Sequence, residues 1–504
     1  MRVAVILSPL LVSGTTDCQP MRPPADQRTF RSDVVDKAVD DLAAKLADPT
    51  LACIFKNAFP NCLDTTIYQF SKAGSTESVG RCSATPGECG VVQNQTKDDA
   101  FVVTGDIPAM WLRDSMNQVL PYIRFAKQDP QLQALLRGLV HRQAAQILTD
   151  VYANAHNIDR STGQTPNTGD HTSKPSYLGT TVSAMTPLIF ERKYELDSLC
   201  AFLKLGAEYV RATGDVSALD AQWVQAVRTV VATMRSQQTE TADDEGIYSF
   251  QRCSSCEPTD TLSHGVGFPG ARTGMVRSAF RPSDDATQYP FLVPANAMAV
   301  VELRATKELL DQIGESELAK DVDTLASEID SAIRAVAVVP HKSAATDVFA
   351  YEVDGYGNSY HMDDANVPSL LSLPYLGYVP ANDTTYGATR RIVLNTTTNP
   401  YYFEGAAGSG VGSPHTGLGR PWHMSIIMQA MTSDSDEEIQ SCLKLLKATT
   451  ASKWFMHESF WKDDSDNFSR PWFSWANSLF GELIWRLSET KPHLVLASEQ
   501  IKVL

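Results

Sequence analysis

The sequence predicts an all-α domain of many helices, with its functional groups on long loops at one end. Three observations predict it. Apolar residues recur at helical spacing from end to end, strand-like alternation and hairpin signals are scarce, and the intervening segments are long and rich in Gly, Pro, Asp and aromatic residues. Long loops held between packed helices are where binding and catalysis usually reside.

Val35, Val39, Leu42 and Leu46 step by three or four after Ser32, a good N-cap. Leu132, Leu136, Leu139 and Val140 form the next stripe, which runs through Ala144 to Ile147 and Leu148 and stops at Thr149-Asp150. Leu199, Phe202, Leu203 and Val210 follow, closed by Gly214 at a C′ position. Trp223, Val227, Val230, Val231 and Met234 make the fourth. Leu318, Val322, Leu325, Ile329, Ile333 and Val336 make the fifth, ending before Pro340. Ile439, Leu443 and Leu446, and then Leu479, Phe480, Leu483, Ile484 and Leu487, complete the set. No linker, charge run or low-complexity tract interrupts the chain after residue 30, so one domain over residues 28–504 is expected. A chain this long buries most of its apolar surface without staples.

A net charge of −16 argues against nucleic acid or an anionic membrane as partner and suits a neutral substrate. Met1-Arg2, the apolar run Val3 to Val12 and Ser13-Gly14 read as a secretory leader within residues 1–27, too short for a membrane anchor although Pro9 interrupts it. A secreted or secretory-pathway glycoprotein is therefore expected. The sequons at Asn94, Asn382, Asn395 and Asn467 agree with that. Among nine cysteines, the near neighbours Cys53/Cys62, Cys82/Cys89 and Cys253/Cys256 are candidates for small disulfide loops, and the odd number leaves one unpaired. Cys253-Ser-Ser-Cys256 lacks the second Cys pair of a zinc site and the βαβ setting of a redox motif.

Four constellations carry chemistry. Thr104 to Met116 sets Asp106, Trp111, Arg113 and Asp114 close together: carboxylates and a guanidinium fork for vicinal hydroxyls, and an indole face for the C–H side of a sugar. Phe280-Arg-Pro-Ser-Asp-Asp-Ala286 holds adjacent Asp284 and Asp285, which cannot both ionise cheaply in an apolar cleft, so one is pushed toward general-acid behaviour. Asp363-Asp364 is a second pair without the alternating spacing of a calcium loop. Glu404 to Trp422 has six glycines but no Gly-Lys-Ser/Thr ending, so it reads as a loop bringing His415 to a ligand rather than a phosphate cradle. Met456 to Ser478 surrounds Glu458 with Phe460, Trp461, Trp472 and Trp475. That setting suits a tuned carboxylate beside stacked sugars, and the second His of a zinc-protease motif is absent after His457-Glu458.

In this order the segments resemble glycoside hydrolase family 125, the metal-independent exo-α-1,6-mannosidases. The matching stretches are Gly105-Asp-Ile-Pro-Ala-Met-Trp-Leu-Arg-Asp-Ser115, Glu191-Arg-Lys-Tyr-Glu-Leu-Asp-Ser-Leu-Cys200 and Arg281-Pro-Ser-Asp-Asp285. Met362-Asp-Asp-Ala-Asn-Val-Pro-Ser-Leu-Leu371, Gly412-Ser-Pro-His-Thr416 and Arg470-Pro-Trp-Phe-Ser-Trp-Ala-Asn-Ser-Leu-Phe480 continue it. The likeness covers roughly residues 30 to 490, with Phe190 standing where Trp is expected. It implies an (α/α)6 barrel and an inverting mechanism on a mannose-containing glycan, with no metal and no cofactor. It further implies Asp285 as acid, Glu458 as base and Asp284 as the acid's neighbour or alternative. Asp106, Arg113, Asp114 and His415 would hold the terminal mannose, Trp472 or Trp475 would stack on it, and Trp111 and Asn477 complete the binding set. An (α/α)6 glycosidase of another specificity, or a glycan-binding protein without turnover, stays open at this point.

Overall fold

Ser and Asp caps start most of the helices that the apolar stripes mark. The computed structural model describes residues 18–75, 78–80, 96–158, 170–171, 185–243, 248–252 and 258–501. The leader segment up to residue 17, Asn94, Cys82, Cys89, Cys253 and Cys256 lie outside the described residues. In chain order the helices are α1 (Asp33–Ala43), α2 (Pro49–Ala58), α3 (Asn61–Thr65), α4 (Leu112–Val119), α5 (Pro130–Thr149), α6 (Leu196–Thr213) and α7 (Ala221–Ser236). They continue as α8 (Val293–Gln312), α9 (Ser316–Ala332), α10 (Leu373–Leu376), α11 (Thr384–Val393), α12 (His423–Met431), α13 (Asp436–Ala448) and α14 (Ser474–Thr490). Each of the seven stripes falls in one of them: α1, α5, α6, α7, α9, α13 and α14.

The helices form two sets that differ at their N-termini. Ser32, Asp48, Asp129, Asp220, Asp383 and Ser435 cap α1, α2, α5, α7, α11 and α13 by accepting backbone N–H groups. No side chain caps α4, α6, α8, α12 or α14. These five form an inner set: α4 packs on α6, α6 on α8, α12 on α14, and α14 back on α4, while α10 also packs against α8. Other helices lie outside them, as in α9, which also lacks a side-chain cap, against α8 and the capped α13 against α12. Inner helices are buried almost all round, with Val293 to Val300 of α8 and His423 to Met428 of α12 entirely in the core. Gly214 ends α6 at φ 72° in the left-handed conformation, as its position predicts.

Strands are short, none longer than five residues among those described, and several feed directly into inner helices. Met110–Trp111 pairs with Ala155–His156 and leads into α4; Phe291–Leu292 pairs with Glu352–Val353 and leads into α8. The cysteine expectation is corrected here. Cys53 pairs with Cys18 rather than with Cys62, and Cys62 is a buried free thiol beside Thr66. This bridge ties the segment at residues 18–27 to α2. Arg22 reinforces this by bridging Asp36 and Asp64.

Candidate active site

The uncapped ends of inner helices converge on a cleft of about 420 Å³. Arg113 and Asp114 come from the first turn of α4, Trp422 and Phe473 from the N-cap positions of α12 and α14, and Trp475 from the first turn of α14. Uncapped N–H groups give these ends partial positive charge, a favourable setting for carboxylates. Thr104, Ile107, Trp111, Pro282, Ser283, Asp284, Asn366, His415, Glu458 and Arg470 complete the lining. A larger cavity of about 700 Å³, around Tyr194, Tyr248 and Arg277, has no carboxylate among its described lining residues.

A tight turn places the aspartate pair. Asp284 N–H donates to the Arg281 carbonyl (2.9 Å), and Arg281 N–H donates to the Asp285 carbonyl (2.8 Å). This forces Asp284 to φ 68°, a left-handed conformation that Asp tolerates better than most residues. The turn sends the two side chains apart. Asp284 lines the cleft with its side chain 24% exposed, whereas Asp285 is 4% exposed and faces Ser283 Oγ (3.0 Å) and Ser413 Oγ (3.5 Å). His415, which lines the cleft, has its Nδ1 3.9 Å from Asp285.

Arg113 organises four buried or half-buried carboxyls. Its Nη1 donates to Glu195 and to Asp197 (3.3 Å), and its Nη2 donates to Asp284 (3.2 Å). Asp114 lies 3.4 Å away, at ion-pair distance without hydrogen-bond geometry. Burial raises Asp114 to about 6 against the pull of Arg113, and burial raises Asp285 to about 6 although His415 opposes it. At Asp284 burial is overcome by Arg113, Lys193 and a hydrogen bond with Glu195, which together hold it below the usual carboxylate range. Glu195, at the N-cap of α6 and fully buried, is pushed well above it by burial, against Arg113 and with Asp284 and Asp197 adding to the rise.

Glu458 lines the same cleft from the segment just before α14. Ser469 Oγ donates to its Oε2 (2.7 Å) and Arg470 Nε to its Oε1 (3.2 Å), and Arg470 continues to the exposed Asp106. The segment before it is fixed by two neutral histidines. The His457 N–H donates to His423 Nδ1 (2.7 Å), and the His457 ring stacks on Phe468 at 4.2 Å. Burial lowers the pKa of both rings. Asn477 accepts from the Met456 N–H (2.8 Å), which holds the same segment from behind.

The cleft thus gathers Trp111, Arg113, Asp114, Asp284, His415, Glu458 and Trp475 of the expected site residues. It excludes four others. Asp285 lies behind the turn, Asp106 sits on the rim paired with Arg470, Trp472 covers Gly105, and Asn477 is wholly buried in its backbone contact. Glu195, Asn366, Trp422, Arg470 and Phe473 were not singled out from the sequence. Glu195 lies in the charged run Glu191-Arg-Lys-Tyr-Glu195-Leu-Asp197, where nothing in the sequence shows that every charge is buried, and the other four lie inside segments whose other residues drew the attention. Asp363 and Asp364 are structural: Asp363 accepts the N–H groups of Leu370 (2.8 Å) and Leu371 (2.9 Å), while Asp364 accepts from Asn366 and Ser413.

Known proteins match this arrangement over most of the chain. The model of the family described as metal-independent alpha-mannosidase (GH125) matches residues 48–485. The "Meiotically up-regulated gene 157 protein" of Schizosaccharomyces pombe is 41% identical over 484 residues, 94% of this chain and 89% of that protein. A solved structure of a Streptococcus pneumoniae metal-independent α-mannosidase, in a non-productive complex with α-1,6-mannobiose, superposes with a TM-score of 0.80 at 35% identity. It covers 92% of this chain and all of that one.

Proposed function

The chain belongs to glycoside hydrolase family 125, the metal-independent α-mannosidases, and from that premise we propose that it removes non-reducing terminal mannose from α-1,6-linked glycans with inversion. The observation that carries this reading is that Asp284 and Glu458, from distant parts of the chain, line one cleft. The α-1,6-mannobiose held by the Streptococcus pneumoniae relative supports the linkage.

In this reading Asp284 is the general acid. It protonates the glycosidic oxygen as the C1–O bond breaks, and Glu458, oriented by Ser469 and Arg470, removes a proton from the water that attacks the opposite face. Room for that water calls for a carboxyl separation of about 6.5–9.5 Å. Arg113, Asp114, Asn366 and His415 bind sugar hydroxyls, the unpartnered Trp111 indole N–H donates one more hydrogen bond, and Trp475 supplies an apolar face. Asp285 tunes the turn from behind rather than touching the sugar.

The alternation of inner and outer helices supports an (α/α)6 barrel with the cleft at the N-terminal ends of the inner set. The Cys18–Cys53 disulfide, with the exposed sequons Asn382 and Asn395, supports passage through an oxidising secretory compartment, with any removable leader ending before Cys18. A panel of α-1,2-, α-1,3- and α-1,6-mannobioses with chelator present tests the activity. Mannose release from the α-1,6 dimer alone, lost in Glu458→Gln, is expected. Preference for another linkage, or dependence on added metal, overturns the reading.

A further inference from the structure

We propose that Glu195 is the proton partner of Asp284: the two carboxyls hold one proton between them, and Glu195 hands it to Asp284 when a glycosidic oxygen enters the cleft. The proposal rests on reading Asp284 as the general acid. Glu195 is a positioning residue that acts through Asp284 and does not touch substrate.

The two carboxyls share the Arg113 guanidinium, which donates to Glu195 through Nη1 and to Asp284 through Nη2. One amide also spans them, with Asn154 Nδ2 3.1 Å from Glu195 Oε1 and 3.4 Å from Asp284 Oδ1. Ser198 Oγ donates to Glu195 Oε2 (2.9 Å), beside the Arg113 contact, so the carboxyl is fixed at both oxygens.

The charges around the pair do not balance without a proton. Four carboxyls, those of Glu195, Asp284, Asp197 and Asp114, share Arg113. Lys193 is a second cation, its Nζ bound to Asp260 and to the Asp284 carbonyl; Arg470, which faces Asp114, is already paired with Glu458 and Asp106, and His415 faces both Asp284 and Asp285. Glu191 lies beyond Asn154 and is matched by Arg252, and the buried Tyr248 hydroxyl is neutral. Several carboxylates cannot all stay ionised in such a dry space. In the empty cleft the proton sits on Glu195, the more deeply buried member. Asp284 is kept anionic by Arg113 and Lys193.

The transfer balances. A proton passes from a Glu195 oxygen to an Asp284 oxygen, leaving Glu195 anionic against Arg113. Asp284 gives that proton to the glycosidic oxygen as the C1–O bond breaks and its electron pair goes to the leaving group. Water adds at C1 and gives its proton to Glu458. After product release Glu458 loses a proton to solvent and the pair regains one.

The test compares kcat–pH profiles of wild type, Glu195→Gln and Glu195→Asp on α-1,6-mannobiose and on an aryl α-mannoside whose acidic leaving group departs unprotonated. For Glu195→Gln the basic limb is expected to move acidward by at least about one pH unit. At neutral pH kcat on the mannobiose is expected to fall about 10²-fold, but less than about tenfold on the aryl mannoside, with KM unchanged. Glu195→Asp, which keeps a proton to share, retains the wild-type limb. A Glu195→Gln profile with the wild-type limb, or equal losses on both substrates, overturns the proposal. The wild-type profile tests it without any variant. A shared proton sustains turnover to neutral pH, whereas a basic limb below about pH 4 describes an unpartnered aspartate and overturns it. A wild-type chain that releases no mannose at any pH refutes the functional reading instead.

Discussion

At the scale of single residues, one backbone angle decides which aspartate lines the cleft. Asp284 sits at φ 68° in a turn closed by Arg281 and Asp285, and the turn separates neighbours that the sequence presents as equivalent. The pair itself was legible from charge chemistry, but its order was not, because a left-handed residue reverses which side chain faces outward. Asp106 and Trp472 stand at the rim instead, against Arg470 and Gly105: a motif lists residues close in sequence, whereas the cleft lining selects by direction. Asp284→Asn should lower kcat on an unactivated mannoside by about 10²–10⁴-fold with little change in KM, measured by steady-state kinetics. Asp285 makes a different prediction. Its folded pKa of about 6 exceeds the ordinary aspartate value, so the folded state binds the extra proton between about pH 4 and 6. That stability contribution is full below about pH 4 and is lost as pH rises through 6. Asp285→Asn should therefore flatten the decline, by up to about 3 kcal/mol, in urea unfolding compared at pH 4 and pH 7.

At the scale of elements, legibility followed exposure in part, since the inner helices α6 and α14 also carried readable stripes. The outer helices α1, α5, α7, α9 and α13 each present one apolar face to the core, so their stripes were visible in the sequence. Helices α4, α8 and α12 are buried on nearly every side and show no stripe, because apolar residues occupy all faces or polar ones are satisfied inside. Helix α14 shows how tight that inner packing is. A Cβ at Gly481 would lie 2.2 Å from Phe59 Cδ2, and Phe59 is itself wedged among Phe55, Tyr122 and Trp485. Gly481→Ala should lower stability by about 1–3 kcal/mol through overpacking, read as a lower denaturant midpoint at unchanged slope.

At the scale of the whole molecule, the packed inner helices bring Asp284 and Glu458 from distant segments to one cleft, and the Cys18–Cys53 bridge ties the N-terminal segment to that body. The family likeness, and with it the chemistry, was legible because its motifs are long. The cysteine pairing was not, since Cys18 reaches Cys53 through the fold and not through nearness in sequence. Cys53→Ser should cost about 2–4 kcal/mol in equilibrium unfolding while leaving kcat unchanged, because the bridge lies away from the cleft lining. The central claim is that two carboxyls act across a sugar with a water between the base and C1. Proton NMR during the first minutes of α-1,6-mannobiose hydrolysis tests it most directly. The account predicts that the mannose released is first the β-anomer, with the α-anomer growing in only by mutarotation. First appearance of α-mannose would mean retention and would contradict it.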